Sequence, residues 1–194
     1  MIYFNYKNNE VSYLIYITGD THIPVDIGKL SVKKFPEQRK LTKNDYLIIC
    51  GDFGGLWNGS KEENYWLDWL NDRSFTTLFV DGNHENFDML NSLPTKEFCG
   101  GTVHKISDSI YHLMRGMVYI IGNKKIFTFG GATSHDKEHR IEGKSWWNEE
   151  MPNEDEIEIA KNNLKANKNS NSSMNSSSCT RSSKGNNTNE SNNY

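Results

Sequence analysis

The stretch Tyr13-Leu14-Ile15-Tyr16-Ile17-Thr18-Gly19-Asp20-Thr21-His22 decides the fold. Tyr13 to Ile17 is an apolar run of β-branched and aromatic types, which reads as a buried strand. It ends in Thr18-Gly19-Asp20 and so delivers a polar loop. The same pattern recurs at Tyr46 to Cys50, ending in Gly51-Asp52, and at Thr76 to Val80, ending in Asp81-Gly82-Asn83. Between the second and third runs, Lys61 to Asn71 carries Tyr65, Trp66, Trp69 and Leu70 at spacings of three and four. Those spacings predict an amphipathic helix, and Asn58-Gly59-Ser60 is its capping region. Shorter helices are predicted over Ile27 to Phe35 and Glu85 to Asn91. Strands alternating with helices predict an α/β fold, a parallel or mixed sheet with helices on its faces. Asp20, Asp52 and Asn83 recur at intervals of about 30 residues, the length of one βαβ unit. They should therefore emerge at one edge of the sheet, outside the carboxyl ends of the strands, where ligands bind.

The second half changes character. Val103 to Ile106, Ile110 to Met114, Val118 to Ile121 and Lys125 to Phe129 read as short strands, with Gly122-Asn123 as a tight hairpin turn. Asn153 to Ala166 reads as a helix whose acidic first turn suits the helix dipole. From Asn167 to Tyr194, 18 residues are Asn or Ser and none is Val, Ile, Leu, Phe or Trp. Such a segment cannot bury enough apolar surface to offset its ordering entropy. The organisation expected is a domain over 1–166 and a disordered low-complexity tail over 167–194.

With 194 residues, 35% of them hydrophobic, the chain can bury one real core. The net charge of -3 does not indicate nucleic-acid binding. No apolar run is long enough for a bilayer, and the first ten residues lack the pattern of a secretory leader. Cys50, Cys99 and Cys179 fit no zinc motif, and an odd number argues against a disulfide framework, so a cytoplasmic location is expected. Cys50 lies inside an apolar run and reads as a small buried hydrophobe.

Three short blocks carry the chemistry: Gly19-Asp20-Thr21-His22, Gly51-Asp52-Phe53-Gly54-Gly55 and Gly82-Asn83-His84-Glu85. Each has a glycine directly before the polar residue, where the backbone must bend or a ligand must come close. Asp20 and His22 are two apart, point to one side in extended backbone and can grip one cation through oxygen and nitrogen. Asp52 is placed to bridge two cations, and Asn83 offers a neutral carbonyl oxygen to the second. Two metals about 3.5–4 Å apart can bind a phosphate and activate the attacking water. His84 is expected to face the substrate, with Glu85 holding its imidazole in a useful tautomer.

These blocks resemble the D-x-H, G-D-x-x and G-N-H-E motifs of calcineurin-like metallophosphoesterases, over roughly Tyr13 to Ala166. The resemblance implies a β-sandwich flanked by helices with a dinuclear site at one edge. It implies Asp20 and His22 as ligands of the first metal, Asp52 as the bridging ligand and Asn83 as a ligand of the second. It implies His84 as the histidine that contacts the phosphoryl group and protonates the leaving oxygen. The activity implied is hydrolysis of a phosphomonoester or phosphodiester with two divalent ions, Mn, Fe or Zn. Because the family includes nucleases, a nucleic-acid substrate stays open.

The sequence departs from the family at several places. Gly54-Gly55 replaces the Asp-Arg of the phosphoprotein phosphatases, and Ile23-Pro24 follows His22 where the family commonly has glycine. The family's later histidines, including a G-H-x-H block, are missing. After His84 the chain has only His104, His112, His135 and His139. His104 and His112 read as ordinary strand histidines. His135 falls in a loop near the site and is not counted as a ligand. The missing imidazoles imply a second reading, a degenerate or truncated scaffold with weak metal binding and little catalysis. Arg115 and Arg140 read as solvated charges, although either could touch a phosphate, and Asp136 and Glu138 read as loop surface. Trp57, Trp66, Trp69, Trp146 and Trp147 read as core or helix-packing residues.

Overall fold

The computed structural model describes residues 1–7, 12–122 and 124–169. Its elements are β1 (Ile2–Lys7), β2 (Ser12–Gly19), β3 (Tyr46–Cys50), α1 (Lys61–Asn71), β4 (Thr76–Val80), α2 (Phe87–Asn91), β5 (Thr95–Phe98), β6 (Gly101–Lys105), β7 (Ile110–Leu113), β8 (Val118–Ile121), β9 (Lys124–Phe127) and α3 (Glu154–Asn169). Seven strands form one mixed sheet in the order β1-β2-β3-β4-β7-β6-β5. β2, β3, β4 and β7 are parallel neighbours, and the strands outside them pair antiparallel. β8 and β9 form a separate antiparallel pair. The predicted α/β class holds: a mixed sheet flanked by helices. The hairpin expected at Gly122-Asn123 lies partly outside the described residues, as does the tail beyond Asn169.

Alternation along the central strands makes two cores. Tyr16, Leu47, Ile49 and Phe79 face one side with Phe35, Phe53, Phe75 and Leu70 of α1. Tyr13, Ile15, Tyr46, Ile48 and Leu78 face the other with Tyr111, Tyr119 and Ile121. The β8–β9 pair covers this second side. Ile120 donates its N–H to the Cys99 carbonyl (2.6 Å), and the Tyr119 hydroxyl donates to Thr102 O (2.6 Å). Strands buried on both faces read as continuous apolar runs, which is why β3 and β4 were visible in the sequence.

The helices follow their caps. Ser60 Oγ accepts from Glu63 N at the start of α1, while the Glu63 carboxylate accepts from the N–H groups of Trp57, Asn58 and Gly59. At the start of α3 the bonds are reciprocal: Asn153 N donates to Glu156 Oε2 and Glu156 N to Asn153 Oδ1. The helix predicted from Glu85 starts instead at Phe87, because the Asn86 side chain accepts from Met89 N and acts as the cap. The helix predicted over Ile27 to Phe35 is a single 3-10 turn, Ile27–Leu30, with a second 3-10 turn at Pro36–Lys40. Pro36 disfavours helical backbone at Phe35 and separates the two. One thiol expectation fails: Cys50 is free and exposed, not buried.

A buried polar chain lies at the end of β4. His104 Nδ1 and His112 Nδ1 are 3.0 Å apart, His112 Nε2 is 3.1 Å from Asp81 Oδ1, and Arg115 Nε donates to Asp81 Oδ2 at 2.8 Å. Burial and the neighbouring His112 push the His104 imidazole down to about 4, against the opposing pull of Asp81. Below about pH 6.5 the unfolded chain takes up a proton that folded His104 refuses until about pH 4. Its contribution to stability is therefore complete above pH 6.5 and is lost as the pH falls from there to about 4. The full loss is roughly 3 kcal/mol, and roughly 2 kcal/mol of it is gone by pH 5. Urea unfolding at pH 7.5 and pH 5 should show that drop, and His104→Gln should shrink it. A midpoint that stays level between the two pH values contradicts the assignment.

Candidate metal centre

The site is assembled from the loops that follow β2, β3 and β4. These strands are adjacent and parallel, so their carboxyl ends share one edge. Backbone bonds tie the first two loops together. Thr21 N and His22 N both donate to Asp52 O (3.0 and 2.9 Å), and Ile23 N donates to Phe53 O (3.1 Å). The third loop joins through Asp52, whose Oδ1 accepts from His84 N at 3.0 Å. Gly51 takes a φ of 89°, which sets the bend before Asp52. A Cβ at Gly82 would lie 1.9 Å from Asp52 Oδ1, so only glycine lets the β4 loop close on that carboxylate.

The side chains then converge. Asp52 Oδ2 is 3.0 Å from His84 Nδ1 and 3.6 Å from His22 Nε2, and Asp20 Oδ2 is 3.8 Å from His22 Nε2. One donor atom from each of His22, Asp52 and His84 fits within 4.8 Å of the others. Donors bound about 2.0–2.2 Å from one ion lie within about 4.4 Å of one another, so the 3.6 Å and 3.8 Å separations suit a shared cation. The donor set of carboxylates and imidazoles also suits a divalent metal. His22 and Asp52 both hold positive φ, 36° and 37°.

The remaining predicted residues are placed as follows. The Asn83 amide nitrogen donates to Ser134 Oγ (3.0 Å), which leaves its oxygen as the atom available to an ion. Ser134 is held in turn by the buried Glu150, to which it donates from both N and Oγ. Lys137 pairs with the same carboxylate. Glu85 does not orient His84. Its carboxylate accepts from Phe53 N (2.7 Å) and Gly54 N (3.2 Å), so it shapes the turn that carries Asp52. Burial pushes the Glu85 carboxyl up to about 8, against those two amide bonds. Asp52 occupies the place expected for Glu85, facing the His84 ring. His135 is exposed, and His104 and His112 are buried in the Asp81 chain.

Two arginines were misread as solvated charges. Arg115 is buried and bonded to Asp81. Arg140 reaches the site, with Nη2 2.7 Å from His84 Nε2 and Nε 2.8 Å from Asp136 Oδ1. A guanidinium only donates, so His84 Nε2 accepts here, and Nδ1–H points at Asp52. Little around Arg140 announces this, since His84 lies 56 residues away in the chain. The i, i+4 spacing of Asp136 and Arg140 was the one legible signal.

A family model for calcineurin-like phosphoesterases matches residues 13–186, and the chain belongs to that family. Its members act on phosphate esters and typically bind divalent metals. No curated protein and no solved structure matches the chain significantly. No helix among the described residues is long and apolar enough to cross a membrane.

Proposed function

We propose that the chain hydrolyses phosphate esters at a dinuclear centre held by Asp20, His22, Asp52 and Asn83, with His84 at the phosphoryl group. The observation that carries this reading is the position of Asp52, whose Oδ2 lies between the imidazoles of His22 and His84. Divalent ions bound there would polarise the phosphoryl oxygens and supply a nucleophilic water. In the reaction the water oxygen bonds to phosphorus, the bond from phosphorus to the alcohol oxygen breaks, and that oxygen takes up a proton. His84 would contact the phosphoryl group and, once protonated at Nε2 in place of accepting from Arg140, deliver the proton. Arg140 sits beside it with a guanidinium suited to bidentate contact with phosphate. Glu85 holds the Phe53–Gly54 amides and so keeps Asp52 in place.

A second reading, a scaffold that binds metal weakly and turns over little, is favoured by the donor count. Four side chains serve two cations, with Asp52 shared, and no imidazole among the described residues replaces the family's later histidines. The loss falls hardest on the Asn83 side, because a neutral amide oxygen is a weak donor. The expected outcome is one tighter and one weaker Mn²⁺ site by calorimetric titration, with a rate that keeps rising with metal concentration. Metal analysis of the purified protein and assays on an aryl phosphate and its bis-ester complete the test. Two tight sites with fast turnover would show that the missing donors come from elsewhere. No binding and no turnover would remove the enzyme reading.

A further inference from the structure

The cleft beside His22 and His84 has a volume of about 450 Å³ and is lined by both polar and aromatic side chains. Its lining includes the two imidazoles and Arg140, the carboxylates of Glu62 and Glu63, and the apolar Ile23, Trp57 and Trp66. A phosphate held at the imidazoles and Arg140 would leave the rest of its molecule in the same cleft as the two indoles. Both indoles were expected to be packing residues, yet both are only half-buried.

Trp57 is a built wall. Its N–H donates to Glu63 Oε2 at 2.9 Å, and its carbonyl accepts from Asn86 Nδ2 at 2.7 Å. Its ring stands edge-on to Trp147, with centroids 5.4 Å apart at 88°. Trp147 is itself buried and anchored by an indole N–H bond to Asp88 Oδ2 at 2.8 Å. Trp66 projects from α1 and is braced edge-on by Trp69 at 5.6 Å. Two indoles held this firmly, with part of each surface left facing a cleft, offer a rigid apolar platform that needs no reordering to bind. A packing role accounts for the covered parts of these rings and not for the surface they leave in the cleft.

We infer that this cleft is the leaving-group subsite, and that its substrates are phosphate esters whose alcohol carries a planar aromatic ring. The inference rests on the phosphate-ester reading above for the phosphoryl position and on Trp57 and Trp66 for the ring. Stacking on a fixed aromatic side chain is sequence-tolerant among bases and adds roughly tenfold or more in affinity per ring. Adenosine 5′-monophosphate and ribose 5-phosphate present the same kind of alkoxide leaving group and differ in the base. The expected result is a preference of about tenfold or more for adenosine 5′-monophosphate in kcat/KM. The preference should fall toward one in Trp57→Ala and, as a second variant, in Trp66→Ala. Equal kcat/KM for the two esters in the unaltered protein would overturn the inference. Binding is read separately by quenching of tryptophan fluorescence in metal-loaded protein. Preferential binding of adenosine 5′-monophosphate without hydrolysis of either ester would sink the catalytic reading and keep the subsite. Equal affinities would overturn the subsite whatever the rates.

Discussion

Asp52→Asn is expected to lower phosphate-ester hydrolysis further than His84→Ala does. Asp52 is the centre of the cluster: one oxygen accepts the His84 backbone N–H, and the other lies 3.0 Å from His84 Nδ1 and 3.6 Å from His22 Nε2. An amide at this position keeps the size of the side chain but loses the charge that two cations would share on the proposed reading. It also places either a second donor against a donor N–H or a weak neutral oxygen against the metals. Both the ions and the orientation of His84 are then disturbed at once. Loss of His84 alone removes proton transfer or charge stabilisation, a contribution typically of about 10²–10⁴-fold. Steady-state rates at saturating metal, with bound metal measured in each variant, decide the order. Small and equal losses from the two changes would mean that neither residue lies at a catalytic centre.

Arg115→Ala should destabilise the fold by about 3–5 kcal/mol in urea unfolding. Arg115 and Asp81 are 7% and 2% exposed, and Arg115 Nη2 lies 2.6 Å from Asp81 Oδ2. Arg115 also donates to Glu156 Oε2 (3.1 Å) and to the Glu149 carbonyl (2.8 Å), so it fastens α3 and the segment before it to the sheet. Burial alone would favour a neutral Asp81, but His112 and Arg115 outweigh it and hold the carboxyl below its usual range. Removing the guanidinium leaves that charge buried with only His112 to balance it. Adding Asp81→Asn to the arginine variant should recover part of the loss, which separates an orphaned charge from a packing defect. A loss under 1 kcal/mol would show that water replaces the guanidinium at no great cost.

The contrast between Asp52 and Arg115 marks what the sequence could show. β2, β3 and β4 were legible because strands buried on both faces need unbroken apolar runs, and each run ended in a glycine and a polar residue. The order of those runs was enough to bring Asp20, His22, Asp52 and the Asn83-His84 pair to one edge. β1 and β5 were not legible: Thr95–Phe98 is mostly exposed and polar, and Ile2 to Phe4 is an exposed edge whose apolar residues do not face a core. Nothing in such strands forces a pattern onto the residues. Arg115 and Arg140 were opaque for a different reason. A charge is solvated or buried according to its partners, and the deciding ones, Asp81 for Arg115 and His84 for Arg140, come from segments more than thirty residues away. The role of Glu85 was missed in the same way, since its neighbour in sequence is His84 but its neighbours in space are two backbone amides.

The positive φ angles at His22 and Asp52 bear on how this protein can change. A residue other than glycine held there costs on the order of 1–3 kcal/mol, and glycine would relieve it. Heat resistance and the metal centre therefore pull in opposite directions at these two positions. A library screened for thermal survival alone would drift toward glycine at both and lose an imidazole and a carboxylate while its fold improved. Variants worth keeping would have to be chosen on retained metal as well as on melting temperature, and stabilising changes sought away from this edge of the sheet.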